Sequence, residues 1–98
     1  MHKAKAPPPD VLLLFGIHLS ILRKRRGWSQ EQLALESELA RSYVGGIERG
    51  KRNLSLRNII RLADTLQVPA SELLNFSRAI EETDKRETVE KPKGKRIK

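Results

Sequence analysis

The residues of this chain with most chemistry to offer are cations, and they come in groups. Arg23-Lys24-Arg25-Arg26 is one run, Arg41 stands alone, and Arg49, Lys51 and Arg52 form a third set. A guanidinium forks onto a phosphate or onto the O6/N7 edge of a guanine; an ammonium meets a phosphate as a point charge. The other side chains that do chemistry are scarce. There is no cysteine, which excludes disulfides, thiol nucleophiles and Cys-ligated metals. The two histidines, His2 and His18, are too few for a His-rich metal site. Glu36 and Glu38 are two residues apart and share no helical face. No nucleophile–base pair, carboxylate cluster at metal-ligand spacing or phosphate-cradling Gly loop is present. The expectation is a binding protein, not an enzyme, with no cofactor and no metal.

Charge says what it binds. The 98 residues carry 20 Lys+Arg against 12 Asp+Glu, a formal +8, which points to a polyanion or a negatively charged surface. With 38% hydrophobic and 33% charged residues there is apolar material for one small core. A domain of this size buries only about 60% of its unfolded surface, so self-association would help it. Val11 to Leu22 is apolar and follows Lys3 and Lys5. It is far shorter than the roughly 20 residues of a membrane span. No small-residue cleavage site follows it, so it reads as a buried first helix and the protein as cytoplasmic, with no membrane partner.

The elements that position the cations are helices. Residues 1–9 are a basic arm ending in Pro7-Pro8-Pro9, expected to be extended. Asp10 is a cap, and a first helix runs to about Arg26, with Phe15, Leu19 and Leu22 on one face and Gly27 as its stop. Ser29-Gln30-Glu31-Gln32 fits a capping box opening a second helix with Leu33 and Ala34 inward. Ser37-Glu38-Leu39 is the turn. A third helix runs from Ala40 or Arg41 to Arg49, with Val44 and Ile47 inside and Gly50 as its stop. Ser55 caps a fourth, in which Leu56, Ile59, Ile60, Ala63 and Leu66 repeat at helical spacing. Pro69 opens a short fifth helix with Leu73 and Leu74 buried. Residues 10–76 are thus the domain, and 77–98 a charged tail, helical at first and disordered by Pro92.

Two short helices joined by a three- or four-residue turn make a helix-turn-helix. One helix fits the major groove, where each base pair shows a distinct pattern, while the preceding helix crosses the backbone. Residues 15 to 74 resemble the Cro/repressor type of helix-turn-helix, the XRE family. The matching residues are Phe15-Gly16, Leu19, Leu22-Arg23, Gly27, Ser29-Gln30-x-x-Leu33-Ala34, Tyr43-Val44, Ile47-Glu48-Arg49-Gly50, Ser55-Leu56, Leu62-Ala63 and Leu66-x-Val68-Pro69. The resemblance implies an all-α, five-helix, lambda-repressor-like DNA-binding domain with flexible basic termini.

It also implies roles. Gln30 corresponds to a residue that holds a phosphate, and Arg41, Ser42 and Tyr43 to those that reach base edges or flanking phosphates. For Arg41 a bidentate bond to guanine would supply about 1–3 kcal/mol of discrimination; the plainer alternative is a phosphate clamp. Tyr43 either stacks on a sugar or a thymine methyl or simply covers Val44. Arg49, Lys51, Arg52 and Asn53 lie where the family touches the DNA backbone, or form a solvated loop. Arg23 and Glu48 stand where the family pairs a first-helix Arg with a Glu, a structural ion pair. Lys24, Arg25 and Arg26 read equally well as a solvated helix end complementing the macrodipole.

Several positions depart from the family pattern. Glu38 stands where a Gly is common, and a left-handed conformation there costs about 1 kcal/mol. Ala40 lacks a capping oxygen worth roughly 1 kcal/mol. Gly45-Gly46 lies inside the third helix at a cost of about 1 kcal/mol per Gly. Gly46 either lets the backbone approach DNA closely or marks a frayed or tightly packed helix. That glycine, between Arg41-Ser42-Tyr43 and Arg52-Asn53-Leu54-Ser55, is similar to the controller proteins of restriction–modification systems.

In similar proteins the region after the fourth helix forms a two-fold dimer, which makes Leu73, Leu74 and Phe76 either interface or monomer core. A dimer would bind inverted half-sites roughly 34 Å apart. The function expected is a homodimeric, sequence-specific double-stranded DNA-binding transcriptional regulator, such as a repressor, with residues 40–49 in the major groove. The alternative is an antitoxin or other partner-binding module whose residues 77–98 engage a protein.

Overall fold

The computed structural model describes residues 10–83. Five helices follow in order: α1 Val11–Arg25, α2 Gln30–Ser37, α3 Arg41–Glu48, α4 Leu56–Leu66 and α5 Ala70–Leu73. Their starts are written in short polar side chains. Asp10 accepts from Leu12 N–H, Ser29 from Gln32 N–H and Ser55 from Asn58 N–H. The capping box of α2 is only half formed, because the Gln32 amide turns away to Glu36 Oε2 at 2.9 Å. Pro69 is the cap residue of α5 and not its first helical residue.

α1 is the central strut. It packs on α3 and α5, α2 packs on α3 and α4, and α4 on α5. Phe15, Leu19 and Leu22 of α1 meet Leu33, Ala34, Val44, Ile47, Leu62, Ala63, Leu66 and Leu73 in one core. The result is an all-α, lambda-repressor-like arrangement of five helices.

Two glycines bring α1 and α3 together. A Cβ at Gly16 would collide with the carbonyls of Ile47 and Glu48. Gly50 has φ 76° and its Cβ would stand 2.9 Å from Leu13 Cα, so both conformation and space demand glycine there. His18, buried in α1, donates from Nε2 to the Glu72 carbonyl at 2.6 Å and ties α1 to α5.

The α4 face differs from its sequence reading. Leu62 and Leu66 form the inner stripe, whereas Leu56 is 71% exposed and Ile60 is also exposed. Leu56 begins the helix ahead of the core, where no neighbour covers it. The C-terminal boundary differs too. Residues 77 to 83, expected in the tail, are helical, and Ala79 is buried against Leu14 and Ile17 of α1. A small residue in a charged stretch was hard to read as core. The arm 1–9 and the rest of the tail, 84–98, lie outside the described residues. Among the described residues, no helix is long and apolar enough to cross a membrane.

Candidate nucleic-acid interface

Val44 and Ile47 anchor α3 in the core. At about 100° per residue, Ser42, Gly45, Gly46 and Arg49 then face outward. Arg41 and Ser42, in the first turn, are exposed. No side chain caps that turn, since Ala40 has none to offer. The preceding turn is tight: Glu38 is left-handed at φ 61°, ψ 36°.

The far end of α3 is held by buried charge. Arg23 Nε donates to Glu48 Oε2 at 2.7 Å and the second nitrogen to Oε1 at 2.9 Å. The remaining guanidinium nitrogen donates to the Trp28 carbonyl at 2.7 Å. The Glu48 hydrogen bond raises the Arg23 pKa above its ordinary value, helped by the carboxylate charge and opposed by burial. Gln30 Nε2 adds a third donor to Glu48, at 2.9 Å. That bond uses one of the two N–H donors of the Gln30 side-chain amide. The Gln30 backbone N–H, in the first turn of α2, has no intrahelical acceptor and faces outward from the helix end.

Beyond α3 the chain carries Arg49, Lys51, Arg52 and Asn53, all exposed. Arg52 folds back over α3, its guanidinium 5.6 Å from the Tyr43 ring centroid. Tyr43 is half-buried, packs against the core, and its hydroxyl accepts from Asn58 Nδ2 at 3.0 Å. Asn58 had no local signal: nothing in the sequence of α4 marks it as the tether of a residue in α3. Arg26 is exposed, and its guanidinium also lies 4.4 Å from the Trp28 ring centroid and donates to the Leu66 carbonyl at 3.3 Å. Lys24 and Arg25 are exposed.

The residues suggested for a dimer face divide. Leu73 is 0% exposed and belongs to the monomer core, because α5 lays it against the apolar residues of α1 and α4. Phe76 is half-buried, edge-on to His18. Leu74 is 47% exposed. Among the described residues, no group of three or more His, Asp or Glu converges as a metal site.

Residues 19–73 match the HTH_3 helix-turn-helix family. The chain belongs to that family of DNA-binding transcriptional regulators. Within it, the chain is similar to control protein C.BamHI of Bacillus amyloliquefaciens, at 42% identity over 69 residues, which is 69% of this chain and 85% of the relative. The restriction–modification controller C.AhdI from Aeromonas hydrophila superposes with TM-score 0.62 at 55% identity, covering 63% of this chain and 94% of that one. The controller C.Esp1396I, crystallised as a tetramer on its natural 35-base-pair operator, superposes with TM-score 0.64 at 31% identity, covering 76% and 96%.

Proposed function

We propose that this protein is a controller-like transcriptional regulator that binds a specific double-stranded DNA site as a homodimer, with α3 in the major groove. The observation that carries this reading is the outward face of α3. It presents Arg41, Ser42, Tyr43 and Arg49 with no exposed acid among them, and it is backed by the buried Arg23–Glu48–Gln30 network. A helix held this rigidly presents its side chains at one angle, which base reading requires.

Arg41 reads a guanine edge, and Ser42 and Tyr43 contact neighbouring base edges or phosphates. The α2 N-terminus at Gln30, together with Arg49, Lys51 and Asn53, meets phosphates. The operator-bound tetramer of C.Esp1396I supports oligomeric binding here. Exposed Leu74, with exposed Ile80 six residues on, supports a dimer face at the C-terminal end of the domain.

The test is fluorescence anisotropy across a salt series. One probe is DNA from upstream of the protein's own gene; the other is a shuffled duplex. Preference of about a thousandfold for the first, with two protomers per site, is the expected result. Equal, weak and salt-erased binding to both would refute it and turn attention to a protein partner of residues 77–98. For that second arm, truncation belongs after Thr83, since a cut after Phe76 also removes buried Ala79.

A further inference from the structure

Glycine is a poor helix former, yet Gly46 stands in the middle of α3. The space beside it is filled. A Cβ at position 46 would lie 3.1 Å from Arg52 Cγ and 3.2 Å from Arg52 Nε. Gly46 counts as buried although it faces outward, because the Arg52 stem covers it. The Arg52 guanidinium then rests by the Tyr43 ring, one helical turn back, and Tyr43 is itself tethered by Asn58.

Arg52 is therefore not a loop cation pointing at random into solvent. It lies on the outward surface of the recognition helix, its stem in a notch and its charge beside an aromatic face. Among the described residues, no carboxylate pairs with it, which leaves its donors free. A planar fork held in one place on that surface suits the O6/N7 edge of a guanine better than it suits a diffuse phosphate backbone.

We propose that Arg52 is a second base-reading arginine, and that Gly46 determines specificity by making the notch in which Arg52 is seated. The proposal rests on the DNA-binding reading above and extends it. Arg41 sits at the first residue of α3, whereas the Arg52 guanidinium lies beside Tyr43, the third, about 3 Å further along the axis, which is close to one base-pair step. The two arginines therefore address different base pairs.

The experiment is selection of duplexes from a random library by the full-length protein and by Arg41→Ala, Arg52→Ala, Gly46→Ala and the double variant Gly46→Ala/Arg52→Ala. Salt-dependent titrations and thermal unfolding accompany it. Arg52→Ala should lose at least tenfold preference at one base pair per half-site, distinct from the pair lost in Arg41→Ala. Gly46→Ala should lose the same base pair as Arg52→Ala while unfolding at an equal or higher temperature, since alanine is the better helix former. The double variant should be no worse than either single.

Three results overturn the proposal. One is that Arg52→Ala weakens all duplexes alike and lowers the salt slope, which is the signature of a phosphate contact. Another is that the Gly46→Ala and Arg52→Ala losses simply add, which separates the notch from the arginine. The third is that the wild-type protein selects no consensus at all, which refutes the DNA-reading assignment itself and is distinguishable from the first two.

Discussion

At its C-terminal end α3 is held by Glu48, whose carboxylate takes two bonds from Arg23 and one from Gln30, with side chains only 10% and 6% exposed for Arg23 and Glu48. At its N-terminal end no buried charge holds it: Tyr43 packs against the core and accepts from Asn58, while Arg41 and Ser42 stand exposed. Ala40 supplies no capping oxygen, and the nearby ion pair is Arg61 with Glu38 at 3.7 Å, side chains 49% and 82% exposed. Both ends use an arginine and a glutamate, and their worth differs by an order of magnitude. A buried pair cannot lose one partner without stranding the other's charge. An exposed pair is already solvated and gives up little. The locked end sets the angle of the helix against α1. The looser end carries Arg41 and Ser42, whose exposed side chains stay free to adjust to what they touch.

Removing Arg23 tests the locked end and should have the largest effect. Arg23→Ala strands Glu48 and leaves the Trp28 carbonyl without its donor, so unfolding free energy from urea titration should fall by about 3–5 kcal/mol. A loss below about 1 kcal/mol would mean that water screens the pair and that the two ends are alike. The pH dependence has a definite sign. A raised Arg23 pKa makes its contribution fully present below the ordinary arginine value and lost only as pH rises through the higher folded value. Across the neutral range, Arg23 itself therefore adds no slope to the stability profile.

The same contrast explains what could be read from the sequence. The helices and their caps are local events, decided by residues three or four apart, so Asp10, Ser29 and Ser55 announced their helices. The left-handed residue at Glu38 carried no such local pattern and entered through a family resemblance. The Arg23–Glu48 pair spans 25 residues and entered only through a family resemblance. Three features had no such route. The contact of Arg26 with the Leu66 carbonyl spans 40 residues. The Arg52 seat needs a missing side chain at Gly46 and a ring at Tyr43 to coincide in space. Leu73 and Leu74 were both expected to be buried, yet Leu74 is 47% exposed, because which of the two faces the core depends on how α5 docks.

The loose end should respond to repair. Ala40→Ser places an oxygen where the first N–H groups of α3 lack one, and should raise stability by about 1 kcal/mol. Thermal melts would show it directly. No gain would mean that the end is already satisfied, by solvent or by its neighbours. Glu38→Gly removes the Cβ from a left-handed residue and should gain somewhat less, about 0.5–1 kcal/mol, because glycine also loosens the unfolded chain. A net loss would show that the Glu38 side chain does more for the fold than its exposure implies.

Glu38→Gln separates the two contributions at that position and should do least. It keeps the stem and the left-handed backbone and removes only the charge facing Arg61. At 3.7 Å and largely in solvent, that charge contributes no more than about 0.5 kcal/mol, and less as salt rises. Arg61 also donates to the Ser37 carbonyl at 3.3 Å, which holds it near the turn without the acid. Urea titrations at low and high salt should therefore place the variant on the wild-type curve at high salt and just below it at low salt. A loss as large as that of Arg23→Ala would make both ends locked, and would remove the freedom of Arg41 and Ser42 to adjust to DNA.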